Sequence, residues 1–384
     1  MKYLKHLLVV GMTGLLFIPS FGQNESQSEG RILADSLNHE TPSLDVMIGQ
    51  MIITGIGDFS YITDEEKILA EIEKGYLGGV VLFEKNINRN SPKNQLIRTI
   101  DSLQARSAVP LFVTIDEEGG RVNRLKPKYG FPKTAYAQDL GELNNLDSTA
   151  FYAAKTAGLL SELGINVNLA PNVDVNVNPK NPVIGAMGRS YSADEHKVAQ
   201  QAAQVVKTHR DHGVLTVLKH FPGHGSSHAD THLGIADVSQ YWQFRELMPY
   251  KVLLDSGLVD AVMTAHIVNE HLDESKLPAT LSPFIVNNIL RKVLGYNGVV
   301  FSDDMQMHAI SHHYGFEQSI KMAIEAGVDM LMFANMVEES ERKTPTQIHS
   351  TILKLVESGE ISTERIRASY DRIMTLKGRF QQDK

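Results

Sequence analysis

The 384-residue sequence contains no cysteine at all. This absence excludes a disulfide framework, a lipid anchor attached through an N-terminal cysteine and a metal site built from thiolates. Without disulfides, the stability of the chain must come from core burial, and 42% hydrophobic residues over this length suffice for a large core. With 21% charged residues and 29 glycines, the composition is that of a globular protein rather than of a disordered or collagen-like chain.

The sequence also lacks any concentration of positive charge. Its 37 lysines and arginines are scattered along the chain, and the formal net charge is −8. Proteins that bind nucleic acids need a basic stripe or patch to neutralise phosphates. We therefore expect no nucleic-acid partner.

Long hydrophobic runs are absent after the N-terminus, where Lys2 and Lys5 precede an apolar run that ends at Ile18. A run of about 12 residues is too short to span ~30 Å of hydrocarbon, and this pattern is typical of a cleaved secretory signal. We predict a signal peptide at residues 1–22 and a polar leader at 23–41. Export to the periplasm or the medium would follow, with no stable membrane anchor after cleavage. Cleavage would remove the two lysines and leave a net charge of −10.

From residue 42 onward, short apolar β-branched runs alternate with longer amphipathic stretches. Eight such runs occur, at 51–54, 78–83, 110–116, 165–170, 214–218, 261–265, 298–302 and 328–332. Apolar strands separated by helices indicate a parallel sheet covered by helices, and eight units close most naturally as a (β/α)8 barrel. The alternative is an open doubly wound sheet, but no Gly-x-Gly-x-x-Gly follows the first strand. We predict an α/β fold with a single TIM-type barrel over 42–384, undivided by any linker.

Capping residues mark the ends of several predicted helices. Ser91 and Ser282 are placed as N-terminal caps, and Pro92 follows Ser91 at the first helical position. Gly164 and Gly327 each follow a segment with a helical repeat of apolar residues, and we predict that each ends its helix. Gly213 is predicted to end the helix 192–212 in the same way.

Polar residues cluster after the predicted strands, at the barrel end where reactive groups lie. Four histidines after the fifth strand repeat every four residues: His220, His224, His228 and His232. This spacing would form a metal-binding face on a helix, but Pro222, Gly223 and Gly225 break any helix there. We therefore expect no catalytic metal and no other cofactor. His224 and His228 are expected to be ordinary hydrogen-bonded loop histidines.

Two further features at this end could carry acid/base chemistry. Asp230 and His232 form an i, i+2 pair, so in an extended segment both side chains face the same way. The carboxylate could orient the imidazole and favour its protonated form. Asp303 ends an apolar strand and could act as a nucleophile, a base or a ligand. Asp304 should point the other way and is expected to cap the next helix.

Four segments stand in a recognisable order: 115–122, 169–175 with 188–191, 219–225 with 230–232, and 300–305. Residues 115–122 read Ile-Asp-Glu-Glu-Gly-Gly-Arg-Val, and residues 300–305 read Val-Phe-Ser-Asp-Asp-Met. Residues 169–175 read Leu-Ala-Pro-Asn-Val-Asp-Val, and 188–191 read Gly-Arg-Ser-Tyr. Residues 219–225 read Lys-His-Phe-Pro-Gly-His-Gly, and 230–232 read Asp-Thr-His. Together they resemble the signatures of glycoside hydrolase family 3 β-N-acetylhexosaminidases, over about Ser43 to Lys377. The sequence departs from the pattern in the spacer 226–229, and we expect it to be without the second, sandwich-like domain of many family members.

The resemblance implies a retaining exo-β-N-acetylglucosaminidase that removes terminal β-linked N-acetylglucosamine from peptidoglycan fragments or chitin-type oligosaccharides. It implies that Asp303 is the nucleophile, that His232 is the general acid and then the base, and that Asp230 orients His232. The imidazole would replace the second carboxyl of the usual glycosidase pair. The implied substrate-holding residues are Asp116, Arg124, Arg189, Lys219 and His220. The charges of Lys219 and Arg189 would keep Asp303 ionised.

Two alternatives remain open at this stage. A phosphorolytic enzyme of the same family would also use a histidine acid/base, which does not repel an incoming phosphate. A catalytically inactive module that binds cell-wall sugars is the other alternative, although the intact Asp230, His232 and Asp303 argue against it.

Overall fold

A computed structural model describes residues 42–57, 67–231 and 234–381 of the chain. Its central feature is a closed barrel of eight parallel strands, each paired with the next along the chain. The barrel closes where Ile52, Ile53 and Thr54 of the first strand pair with Leu331, Met332 and Phe333 of the last. The predicted (β/α)8 barrel is confirmed. The predicted signal peptide, the polar leader and His232 lie outside the described residues.

The strands lie where the apolar runs predicted them. They are β1 (Ile52–Gly55), β2 (Gly79–Leu82), β3 (Phe112–Ile115), β4 (Val167–Asn168), β5 (Leu215–Phe221), β6 (Ala261–Thr264), β7 (Val299–Asp304) and β8 (Met330–Phe333). All residues of β1, β2, β3 and β6 are buried, because the interior of the barrel covers one face of each strand and the helices cover the other. Strand β5 is longer than predicted and carries Lys219 and His220 within it.

Helices surround the barrel. They are α1 (Leu44–Gln50), α2 (Lys67–Glu73), α3 (Pro92–Ala105), α4 (Ala137–Leu143), α5 (Leu146–Leu163), α6 (Glu195–Arg210), α7 (Met248–Asp255), α8 (His308–Tyr314), α9 (Phe316–Ala326), α10 (Pro345–Glu357) and α11 (Thr363–Gln381). The segment Phe284–Val293 is wound as a π-helix. None of the helices in the described ranges is both long and apolar enough to cross a bilayer.

Most of the predicted helix ends are confirmed. Gly164 and Gly327 end α5 and α9 in the left-handed conformation, with φ of 81° and 110°. The Ser282 hydroxyl accepts a hydrogen bond from the Ile285 N–H at 3.0 Å. Ser91 stands at the start of α3, but its φ is 55° and its side chain makes no capping bond, so that part of the prediction is wrong. Helix α6 ends at Arg210, three residues before Gly213.

Two buried carboxylates hold the helices at the N-terminal end of the barrel. Asp329, just before β8, is fully buried and contacts Arg291, Arg365 and Arg372 at 2.8, 3.5 and 3.1 Å. Asp260, just before β6, accepts a hydrogen bond from the Thr216 N–H at 2.9 Å and pairs with Arg210. Buried ionic groups at this end serve packing, so the opposite end remains for chemistry.

Candidate active site

A cavity of about 580 Å³ lies at the C-terminal ends of the strands. This volume is within the range of about 300–1,000 Å³ that is typical of small-molecule sites. Seven of the eight predicted site residues line it: Asp116, Arg124, Arg189, Lys219, His220, Asp230 and Asp303. The eighth, His232, lies outside the described residues. The structure therefore brings the described members of the predicted site together, and their individual roles stay predictions.

The segment after β3 places two carboxylates on one side of the chain and a third on the other. Asp116 and Glu118 are two residues apart and both contact Lys219 of β5. Glu117 points away, and its Oε2 accepts hydrogen bonds from the N–H groups of Arg124 and Leu125. Burial raises the pKa of Glu117 to about 7 despite these bonds. Residues 116–118 therefore alternate as extended backbone does, and only Asp116 and Glu118 join the ionic network of the site.

Lys219 is the centre of this network. Its Nζ lies 2.7 Å from Asp116 Oδ1 and 2.7 Å from Glu118 Oε1, and only 3% of its side chain is exposed. Burial alone would lower the pKa of Lys219, but the two carboxylates raise it overall, so the amine is an ammonium ion. Arg124 completes the set through a 3.1 Å contact with Asp116 Oδ2. Burial raises the pKa of Asp116, but Lys219 and Arg124 lower it by more, so this carboxylate is ionised.

Arg189 and His220 form the other side of the network. Arg189 donates two hydrogen bonds to the Glu118 carboxylate, from Nε to Oε2 at 2.9 Å and from a terminal nitrogen to Oε1 at 2.7 Å. The Nδ1 of His220 lies 2.8 Å from Asp174 Oδ2, and its Nε2 lies 3.4 Å from Arg189. Because a carboxylate can only accept a hydrogen bond, His220 donates from Nδ1 to Asp174, and its Nε2 faces the Arg189 guanidinium.

Asp303 stands at the end of β7 and lines the cavity. Its Oδ1 accepts a hydrogen bond from the N–H of Asp304 at 2.8 Å. Burial raises the pKa of the Asp303 carboxyl, but His266, His220, this hydrogen bond and Lys219 lower it by more, and the net shift is downward. An ionised, desolvated carboxylate facing a polar cavity is suited to attack an electrophilic carbon.

The loop after β5 is held along its first part by the loop after β4. The Asn181 side chain donates to the His224 carbonyl at 2.7 Å, and the Asn178 side chain donates to the Ser227 carbonyl at 2.8 Å. Gly225 packs so closely that a Cβ there would lie 1.7 Å from the Val175 carbonyl oxygen. These contacts fix the path of the chain up to the residues just before Asp230, which lines the cavity.

Two predictions about individual residues near this site are wrong, those for His224 and Asp304. His224 is buried, and neither ring nitrogen has a hydrogen-bond partner among the described residues, whereas His228 does bond to the Ser226 carbonyl at 3.1 Å. Burial lowers the pKa of His224 to about 4, so the ring is neutral and packs edge-on against His220. Asp304 does not cap α8, which begins after Met307; its Oδ1 instead accepts from the Gln306 and Ala334 N–H groups. Arg189 pairs with Glu118, and its effect on the charge of Asp303 stays a prediction.

Three residues of the site have no counterpart in the sequence-based predictions: Glu118, Asp174 and His266. Glu118 could have been found from its i, i+2 relation to Asp116 at the end of a strand. Asp174 and His266 follow β4 and β6 at the correct end of the barrel, but position alone did not distinguish them from loop residues. Their roles depend on side chains from other strands, which a linear sequence does not bring together.

Comparison with known proteins identifies the family of this barrel. Residues 43–376 match the Glycosyl hydrolase family 3 N terminal domain. The chain belongs to glycosyl hydrolase family 3. This match confirms the resemblance that the four ordered segments indicated.

Relatives of known name agree with this assignment. The chain is 32% identical over 372 residues to Beta-hexosaminidase A of Pseudoalteromonas piscicida, a match covering 88% of the chain and 61% of that protein. It is 34% identical over 267 residues to a Beta-hexosaminidase of Tolumonas auensis, covering 67% and 76%. A solved family 3 beta-N-acetylglucosaminidase from Paenibacillus sp. str. FPU-7 superposes with a TM-score of 0.81 at 34% identity, covering 90% of the chain and 64% of that structure. The chain thus spans less than two thirds of the length of two of these three relatives.

Proposed function

We propose that the chain is a retaining exo-β-N-acetylglucosaminidase that hydrolyses terminal β-linked N-acetylglucosamine. The observation that carries the proposal is the position of Asp303, an ionised carboxylate in the cavity with Lys219, His220 and Asp116 around it. The names of the family 3 relatives support the same activity. Peptidoglycan fragments and chitin-type oligosaccharides are the proposed substrates.

The proposed reaction has two displacements. Asp303 attacks the anomeric carbon, and the bond to the leaving oxygen breaks as His232 protonates that oxygen, which forms a glycosyl ester on Asp303. His232 then removes a proton from water, the water oxygen attacks the anomeric carbon, and the ester releases Asp303. Asp230 lines the same cavity and is proposed to orient His232. Inversion at each displacement gives net retention.

The ionic network is proposed to hold the sugar. Both oxygens of Asp116 retain lone pairs beyond those used by Lys219 and Arg124, so the carboxylate can accept hydrogen bonds from sugar hydroxyls. Lys219 and Arg189 offer donors for hydroxyl or carbonyl oxygens, and His220, which lines the same cavity, is proposed to contact the sugar as well. Because these side chains are already fixed by one another, little ordering is needed when the sugar binds.

The basic side chains in the cavity are already paired with carboxylates, and this favours hydrolysis over phosphorolysis. Lys219, Arg189 and Arg124 each contact Asp116 or Glu118, so their charges are largely balanced before any anion enters. A phosphate dianion would therefore gain little from such a site.

An assay with p-nitrophenyl N-acetyl-β-glucosaminide tests the proposal. We expect release of nitrophenol and free N-acetylglucosamine, with no acceleration by phosphate and no sugar 1-phosphate, whereas the matched p-nitrophenyl β-glucoside should be a poor substrate. Phosphate-dependent turnover would show a phosphorylase instead. Binding of sugar by calorimetry without any turnover would show an inactive binding module.

We also propose that the protein is exported. The lysines and the apolar run of residues 1–22 support a cleaved signal peptide. Expression of the full-length chain with cell fractionation should place a shortened protein outside the cytoplasm, with an N-terminus near residue 23. A full-length protein confined to the cytosolic fraction would contradict the proposal.

A further inference from the structure

His266 is a buried residue beside the proposed nucleophile Asp303. It follows β6, and only 1% of its surface is exposed. Its Nε2 lies 2.9 Å from the carbonyl oxygen of Asp304, and its Nδ1 lies 2.9 Å from the hydroxyl of Thr280. The ring is therefore held at both nitrogens, and it links the end of β6 to the end of β7.

The bond to Asp304 determines which nitrogen carries a proton. A backbone carbonyl can only accept a hydrogen bond, so Nε2 must be the donor. The Asp304 backbone is thereby held at its carbonyl by His266, while its N–H donates to Asp303 Oδ1 at 2.8 Å. No described residue donates a hydrogen bond to Asp303 Oδ2, so this oxygen is the one available to attack the anomeric carbon.

The bond to Thr280 allows the ring to be either neutral or positively charged. The Thr280 hydroxyl has a single proton, which can go to His266 Nδ1 or to another acceptor, either the Thr264 hydroxyl at 2.9 Å or the Ala265 carbonyl at 3.1 Å. When it goes to Nδ1, the imidazole is neutral. When it goes to Ala265, Nδ1 must carry its own proton, and the ring becomes an imidazolium ion next to Asp303. Neither state requires the ring to move.

We propose that His266 is a positioning residue for the nucleophile: it holds the Asp304 carbonyl, and thus the backbone that orients Asp303, and in its protonated form its charge favours the ionised Asp303. This role rests on the proposed glycosidase function. A small displacement of a reacting group can cost about 100-fold in rate, so such a constraint has a measurable effect.

Other charged groups also act on Asp303, and the test must allow for them. Several titratable or charged groups among the described residues face Asp303 or share its cavity: Lys219 and His220 from β5, His266 after β6, Asp304 beside it on β7, Asp116 and Arg124 after β3, Arg189 after β4, Glu84 and Lys85 after β2, and Asp230. Of these side chains in the described part of the chain, His266 is the one that bonds to the Asp304 carbonyl. Its removal should therefore change both the rate and the acidic limb of the pH profile.

The test compares His266→Ala, which loses the bond and the charge, with His266→Gln, whose amide can still donate to the Asp304 carbonyl but is always neutral. We expect kcat of His266→Ala to fall roughly 10- to 100-fold with KM within about threefold of the wild type. We expect His266→Gln to recover most of that loss at pH values above the acidic limb. In both variants the acidic limb of kcat/KM should move to higher pH, because Asp303 loses a neighbouring positive charge. The exposed His271→Gln on the same loop is the matched control.

A second measurement separates this proposal from the activity itself. The 13C NMR titration of the Asp303 carboxyl should show a higher pKa in folded His266→Gln than in the wild type, whether or not any glycoside is hydrolysed. The proposal is overturned if the Asp303 titration is unchanged, or if His266→Gln, folded as judged by circular dichroism, is no faster than His266→Ala. Failure of the wild type to hydrolyse any β-N-acetylglucosaminide would overturn the proposed function and leave the titration as the test of the positioning role.

Discussion

Asp303→Asn is expected to lower kcat by about four powers of ten while the protein stays folded. Asparagine has nearly the same shape, and its amide oxygen can accept the Asp304 N–H bond that Asp303 Oδ1 accepts at 2.8 Å. An amide cannot form the glycosyl ester, so the first displacement is lost. Nitrophenol release under saturating substrate measures the effect.

A matched control and a rescue experiment make this prediction specific. Asp255→Asn alters an exposed carboxylate that pairs with Lys251 on α7, and it should leave kcat unchanged. In Asp303→Ala, the space left by the side chain should admit azide, which would attack the anomeric carbon and give the α-glycosyl azide. Retention of more than about 1% of kcat by Asp303→Asn, or formation of a β-azide, would contradict the role of Asp303.

Lys219→Met should lower kcat/KM by about three powers of ten and also destabilise the fold. Methionine fills similar space but leaves Asp116 and Glu118 without the ammonium ion that lies 2.7 Å from each. Removal of one partner from a buried ionic group typically costs about 3–5 kcal/mol. Asp303 would lose one of the charges that lower its pKa, so the acidic limb of kcat/KM should move to higher pH.

The pH dependence of stability gives a separate check on Lys219. Burial raises the pKa of Glu118, but Arg189 and Lys219 lower it to about 2, against 4.5 for the free side chain. A carboxyl with a lowered pKa in the folded state contributes stability that is present above pH 4.5 and is lost as the pH falls towards 2. In Lys219→Met this contribution should be smaller, so the free energy of unfolding should depend less on pH between about 4.5 and 2.

Surface lysine Lys321, which pairs with Glu360 outside the barrel, provides the control. Lys321→Met should keep the wild-type kcat/KM and melting temperature, because exposed ion pairs contribute little. The account of Lys219 is wrong if Lys219→Met stays within tenfold of the wild-type kcat/KM and melts at the same temperature.

The strand pattern of the barrel could be predicted because its signals are local. Apolar runs such as 261–265 and 328–332 predicted β6 and β8, and the positions of Gly164 and Gly327 predicted the ends of α5 and α9. Short helices such as α1 and α8 were not predicted, because seven residues carry too few apolar repeats to show a helical period. Ser91 is at the predicted position but does not cap, because its backbone adopts a left-handed conformation.

The site was predictable only in part, for a similar reason. The sequence motifs identify side chains at the cavity, including Asp116, Lys219 and Asp303. The partners that set the charge of these groups come from other strands: Glu118 binds both Lys219 and Arg189, and His266 contacts the backbone beside Asp303. His224 was predicted to be a hydrogen-bonded loop histidine, but it is buried, and no described residue hydrogen-bonds to its ring. Such relations become visible only when the barrel closes.

The central claim, a covalent glycosyl ester on Asp303, is tested most directly by mass spectrometry of the trapped intermediate. An N-acetylglucosaminide with a fast leaving group and a fluorine on the sugar ring should form the ester faster than water removes it. We predict that the protein gains the mass of one fluorinated glycosyl group, that proteolysis places the added mass on the peptide containing Asp303, and that Asp303→Asn gains none. An adduct on a different residue, or turnover of the substrate with no adduct and inverted product, would contradict the account.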